Sequence, residues 1–225
     1  MKIFQHDGGN GDIIYSLPII YAFGGGTLYI TNKNRYQFIA SLLELQGLII
    51  KEGFGPKEII NFRGFRYIDK AARKRGPKHL LLCHSELLNI TCDLTQKWLK
   101  VAPTHKYDIV INRTRKFHDK KEIDWKLLYD YNSAFIGYDN DFKLFQRETN
   151  LSWPKIKYNN ALEMTQIIAG SKLFVGNQSF AFSVAEGLKH PRVLEVYYQA
   201  NNCQPHGNDG YTYLTKELIE RYLND

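Results

Sequence analysis

Lys2 to Gln5 form a short β-prone run, and after an interval rich in glycine the residues from Asp12 onward (DIIYSLPIIYAF) are too densely apolar for a solvent-facing helix. The pattern predicts strand, loop and buried helix, with Pro18 bending or restarting the helix. Gly24 to Gly26 end it, Thr27 to Thr31 predict a second strand, and Arg35 to Gln46 an amphipathic helix. From Lys51 to Tyr67 the signal weakens, and from His79 to Lys100 a helical pattern resumes. Val101-Ala102-Pro103-Thr104 predicts a boundary, because a proline follows an apparent helix end and the strand Tyr107 to Asn112 begins at once. The grammar then repeats. Strands are predicted at Ala134 to Gly137, Leu173 to Gly176 and Arg192 to Val196, and helices at Asp124 to Tyr131, Ala161 to Ala169, Phe180 to Leu188 and Thr215 to Leu223. The fold class is therefore α/β, with two small Rossmann-like parallel-sheet domains, 1–103 and 104–225, facing a central cleft. In such sheets ligands bind beyond the carboxyl ends of the strands, which singles out the residues just after each one.

A length of 225 residues and an apolar share of 44% leave room for two modest cores, and no window approaches the roughly 18 apolar residues of a membrane helix. The amino terminus, MKIFQHDGG, is too short and polar for a signal peptide, and Cys83, Cys92 and Cys203 make no disulfide framework. A soluble protein of a reducing cytoplasm is expected. A net charge of +7 favours an anionic partner: a nucleotide sugar, an acidic glycolipid, a membrane surface or nucleic acid. Much of it lies in Arg73-Lys74-Arg75 with Lys78, and in Arg113, Arg115, Lys116, Lys120 and Lys121, either of which also fits a solvated loop.

The first glycine loop, Gly8-Gly9-Asn10-Gly11-Asp12, has neither GxGxxG nor GxxxxGK[ST] spacing. Asp12 at the helix start would occupy the positive helix end that a phosphate needs. That position favours an ionised carboxylate, which fits a base taking a proton from an attacking hydroxyl or, equally, a helix cap. The second loop, Val175-Gly176-Asn177-Gln178-Ser179, also joins a strand to a helix but carries no acid, so its amides and Ser179 are the better diphosphate site.

Arg113 and Arg115 follow the first strand of the second half, where guanidinium groups suit a departing diphosphate; surface arginines are the alternative. Asp139-Asn140-Asp141 fits an Asx-rich turn, a ribose contact through Asp141 or, as D-x-D, a divalent metal, and Glu195 is a second candidate for ribose. His6 fits acceptor orientation or a strand-end histidine with a satisfied ring. No HExxH spacing and no GxSxG elbow appears. Phe62, Phe65 and Tyr67 interleaved with Arg63 and Arg66 fit either a nucleic-acid groove or an ordinary aromatic strand.

Two segments, GNGDIIYSLPII (Gly9 to Ile20) and IIAGSKLFVGNQSFAFSVAEGLKHPRVLEVY (Ile167 to Tyr197), resemble the heptosyltransferase-like family of GT-B glycosyltransferases. The resemblance implies a nucleoside-diphosphate sugar as co-substrate, no cofactor, no essential metal and an inverting reaction. It implies Asp12 as base, Gly9, Asn10, Gly11 and His6 on the acceptor side, and Asn177, Gln178, Ser179 and Phe180 with Arg113 or Arg115 at the donor phosphate. Asp141 corresponds to the family's acidic ribose contact. The chain departs from the family in length and at Gln178 and Phe180, where an acid and a glycine are usual, which leaves the donor open. Compact chains with a GGxGDIIYxLP-like start look like those of phage genomes, with a glycan, a small molecule or DNA as acceptor.

Overall fold

The computed structural model describes residues 1–73, 76, 78–119 and 123–224. Lys74 and Arg75 of the first basic cluster and Lys120 and Lys121 of the second lie outside the described residues.

Strand β1 (Lys2–His6) leads into helix α1 (Asn10–Ala22), then β2 (Gly26–Ile30), α2 (Lys33–Leu45), β3 (Ile49–Glu52) and the short β4 (Ile60–Asn61). These strands make a parallel sheet in the order β3-β2-β1-β4. Helices α3 (Phe65–Ala72) and α4 (Leu80–Leu88) follow. The second sheet is built from β5 (Ile109–Asn112), β6 (Ser133–Ile136), β7 (Lys155–Ile156), β8 (Leu173–Asn177), β9 (Arg192–Glu195) and β10 (Gly210–Tyr211). Helices α5 (Asp139–Thr149), α6 (Ala161–Ala169), α7 (Phe180–Leu188) and α8 (Lys216–Leu223) belong to this half. All its pairings are parallel, in the order β10-β9-β8-β5-β6-β7. Counted within this half, that is the doubly wound order 3-2-1-4-5-6, whose switch point lies between β5 and β8.

The strands of the second sheet alternate between two cores. Val110 and Phe174 join a cluster that also holds Phe4, Ile13, Leu17 and Leu28 of the first half, whereas Ile109, Ile111, Leu173 and Val175 join a second cluster with Trp125, Phe145 and Ile219. A sheet covered on both faces favours apolar residues at successive strand positions, which is why 109–111 of β5 and 173–175 of β8 read as unbroken apolar runs. The first cluster is continuous across both halves because α1 is buried on all sides.

Several local expectations change. Helix α1 runs on through Pro18, although proline supplies no N–H to the Ile14 carbonyl, because burial of Leu17, Ile19 and Ile20 on either side holds the helix in place. The helical pattern from His79 stops at Asn89, which adopts the left-handed conformation with φ 50° and caps α4. Asp124 to Tyr131 forms only a 3-10 turn, Trp125–Leu128. The expected aromatic strand at Phe62 to Tyr67 is instead a 3-10 turn running into α3: Phe62 and Phe65 are core residues and only Tyr67 is exposed. Asp139-Asn140-Asp141 is not a turn but the first turn of α5, where acids complement the positive helix end.

Candidate active site

The loop after β1 is shaped by its own polar groups. Gly8 donates its N–H to His6 Nδ1 at 2.9 Å, and Gly9 donates to Asp12 Oδ2 at 2.6 Å, so Asp12 serves as the reaching-back half of a capping box on α1. A side chain at Gly8 would place Cβ 2.5 Å from His6 Cε1 and 2.9 Å from Asp12 Cβ, so only glycine fits. Arg35 on α2 closes the loop from outside, its Nη1 donating to the carbonyls of Asp7 at 2.8 Å and Gly8 at 2.6 Å. Arg66 on α3 pairs with Asp12 Oδ2, and Arg63 with Asp7 at 2.9 Å. Arg35 belongs to no motif, and Arg66, which the sequence places in an aromatic-basic stretch, turns to Asp12 instead; both roles depend on helices that fold back over the loop.

Asp12 is 8% exposed. Its place at a helix start was expected to favour the ionised form, but burial raises its carboxyl above the usual range, and Arg66 and the Gly9 N–H only partly oppose this. Both hydrogen bonds go to Oδ2; Oδ1 accepts none from the described residues. Below lies an aromatic floor in which His6 packs on Phe62, Phe65 and His84 at centroid distances of 5.4 to 5.5 Å. His6 is buried rather than presented to an acceptor, and among the described residues its Nε2 and both His84 nitrogens lack partners of ordinary hydrogen-bond geometry, although the Asp12 carbonyl lies near both rings.

The second glycine loop meets the first across the cleft. A Cβ on Gly11 would lie 3.4 Å from Ser183 Oγ and 3.8 Å from the Phe180 Cα, so the amino-terminal ends of α1 and α7 converge. Ser179 caps α7 by accepting from the Phe182 N–H at 3.2 Å, and the first turn of α7 holds no acid. Gly176 is fixed by the sheet, since a Cβ there would meet the Asn112 carbonyl at 2.5 Å.

The other predicted phosphate groups separate. Asn177 is wholly buried and ties down the neighbouring loop, accepting from the Thr114 N–H at 2.9 Å and donating to the Lys116 carbonyl at 2.5 Å. Gln178 turns away and donates to Asn202 Oδ1 at 2.8 Å; Asn202 in turn donates to Asp69 Oδ1 at 2.7 Å, which links the loop to α3. Phe180 packs edge-on against Phe38 of α2 at 5.4 Å. Arg113 is buried in an ion pair with Glu195 (Nε to Oε2 2.7 Å, Nη2 to Oε1 2.8 Å) and with Glu148 at 2.6 Å. In this arrangement Arg113 and Glu195 serve each other rather than a phosphate or a ribose. Arg113→Met would remove a buried guanidinium that holds both carboxylates, and a loss of about 3–5 kcal/mol in denaturant-measured stability is expected; an unchanged midpoint would mean that the pair contributes nothing net. Arg115 stays exposed, with its N–H on Asp141 Oδ1 at 3.1 Å. The two acids of the D-x-D diverge: Asp139 pairs with Lys155 at 2.6 Å, and Asp141 is buried beside Arg115. Among the described residues no group of three or more His, Cys, Asp or Glu could hold a metal ion, and no helix is long and apolar enough to cross a membrane.

No protein-family model and no curated protein sequence matches the chain. Solved structures do. A glycosyl transferase family 9 protein from Veillonella parvula aligns with a TM-score of 0.63 at 12% identity, over 100% of this chain and 89% of that one. The E. coli heptosyltransferase WaaC, solved with ADP-2-deoxy-2-fluoro heptose, aligns with a TM-score of 0.54 at 12% identity, over 100% and 99% of the two chains. The E. coli glycosyltransferase TibC, described as iron-containing and dodecameric, aligns with a TM-score of 0.55 at 14% identity, over 85% of this chain and 56% of that one. With two parallel sheets joined through α1 and α7, and with these structures as its neighbours, the chain has the GT-B-like fold of the heptosyltransferase-like glycosyltransferases.

Proposed function

We propose that the chain is a glycosyltransferase that moves a sugar from a nucleoside-diphosphate sugar to an acceptor hydroxyl, with inversion and without a catalytic metal. The observation that carries this reading is the convergence of two helix amino termini of opposite character, α1 holding a buried acid and α7 holding none. In this reading residues 1–103 form the acceptor side and 104–225 the donor side. Asp12 takes the proton of the acceptor hydroxyl, whose oxygen attacks the anomeric carbon as the bond to the diphosphate breaks. The charge of the leaving diphosphate falls on the free N–H groups opening α7, on Ser179 and on Arg115, which together supply the stabilisation that a metal ion gives elsewhere.

A second reading, a non-catalytic nucleotide-sugar binder of the same fold, is favoured by one observation: Asp12 Oδ2 is already engaged by Arg66 and the Gly9 N–H. Turnover separates the two. Purified protein is incubated with a panel of nucleotide sugars and with glycan, small-molecule and DNA acceptors, and the released nucleoside diphosphate is measured. Acceptor-dependent release is expected. Binding without release selects the binder, and neither binding nor release rejects both.

A further inference from the structure

The cleft narrows to a small cavity between α1, α2 and the carboxyl edge of the second sheet, lined among others by Asn10, Phe38, Asn112, Asp141, Tyr158 and Phe180. Its polar groups are unevenly satisfied. Asn112, 3% exposed at the end of β5, donates its Nδ2 to the Ile136 carbonyl at 2.5 Å, which fixes the amide so that Oδ1 is an acceptor, and that oxygen has no partner among the described residues. Asn10, from the opposite half, also has a buried Oδ1 with no partner among the described residues. Asp141 adds a carboxylate. A buried acceptor left unpaired is costly, so two in one cavity mark the place of a missing donor. The remaining wall is aromatic: Phe38 touches both Phe180 at 5.4 Å and Tyr158 at 6.4 Å.

We infer that this cavity reads the hydroxyl groups of a sugar ring, with Asn112 and Asn10 accepting from ring hydroxyls and Phe38 covering the ring's apolar face. Acceptors and a carboxylate repel phosphate and attract O–H donors, while an aromatic face suits the C–H face of a ring. This places the ring beside the phosphate-binding end of α7 rather than on it. Phe38 comes from the other half of the molecule and rests on Phe180, so both halves contribute to the cavity. The same chemistry is offered by the ribose of the nucleotide and by the sugar to be transferred.

This inference rests on reading the cleft as a sugar-transfer site, and the experiment separates the two. Dissociation constants of a nucleotide sugar, its nucleoside diphosphate and its nucleoside are measured by calorimetry for the wild type, Asn112→Leu and Asn10→Ala, with melting temperature as the check on folding. Asn10 makes no side-chain hydrogen bond that holds α1, so its variant remains informative even where Asn112→Leu does not fold. About tenfold weaker binding of the nucleotide sugar alone assigns the cavity to the transferred sugar; an equal loss for all three ligands assigns it to ribose. Unchanged affinities in the folded variants, with wild-type turnover intact, overturn this inference alone. Absence of wild-type binding to any of the three ligands overturns it together with the transferase reading.

Discussion

Asp12→Asn is expected to lower kcat by about 10²- to 10⁴-fold, the range that a positioned general base contributes, while leaving the melting temperature almost unchanged. The two halves of this expectation come from different bonds. Asparagine keeps an oxygen for the Gly9 N–H, so the cap on α1 survives. What it loses structurally is the pair with Arg66, whose side chain is half exposed, and such pairs contribute little to stability. The substitution therefore removes the proton acceptor and spares the scaffold. Because burial raises the Asp12 carboxyl, the acid limb of the rate profile is also expected above the ordinary carboxylate range: the base must be ionised, so activity falls as pH drops through that raised value. Full activity in Asp12→Asn on a confirmed substrate would reduce Asp12 to a helix cap.

Acidification is expected to unfold the chain well above the pH at which most proteins of this size fail. Burial holds His79 and His84 down to about 3 and His190 to about 4. Each is neutral in the fold and takes up a proton only on unfolding, near its ordinary value of about 6.5. Their contribution is therefore fully present above that value and is lost progressively as pH falls from 6.5 towards their folded values. At pH 5 each histidine costs about 2 kcal/mol, and the three together about 6 kcal/mol, comparable to the whole stability of a typical domain. Asp12, raised by burial, acts in the opposite sense, because the folded state then holds a proton that the unfolded chain releases, but it is a single group. Urea titrations at pH 7 and pH 5 measure the difference directly. His84→Leu, unable to take a proton, should shrink that difference by about 2 kcal/mol, and equal stability at the two pH values would contradict the account.

Much of the architecture was legible because periodicity depends on neighbouring residues. The strand at Leu173 and the helix from Phe180 to Leu188 fall where the apolar run and the Ser179 cap place them, since a buried strand and a capped helix each have a local signature. The short strands β4, β7 and β10 carry two residues each and leave no such signature; they exist because an edge was free to pair. Helix α5 was hidden because Asp139-Asn140-Asp141 has the composition of a turn, and only its packing through Phe145 decides for helix.

The fate of the charged residues was less legible. Arg113 and Arg115 are two positions apart and read alike, yet one is buried between Glu195 and Glu148 while the other remains at the cleft. Gln178 and Ser179 are adjacent, yet one reaches Asn202 and the other caps α7. By itself the sequence determined two parallel α/β halves, an acid at the opening of the first helix and an acid-free opening of α7, because each follows from residues within a few positions of one another. Only the tertiary structure decided that the two openings meet, that Arg66 and Arg35 brace the first, that Asp12 is buried enough to hold its proton more tightly, and that Asn10 and Asn112 face one cavity with nothing to accept from. These depend on groups many residues apart being packed away from water, and burial of that kind has no local signature in a chain.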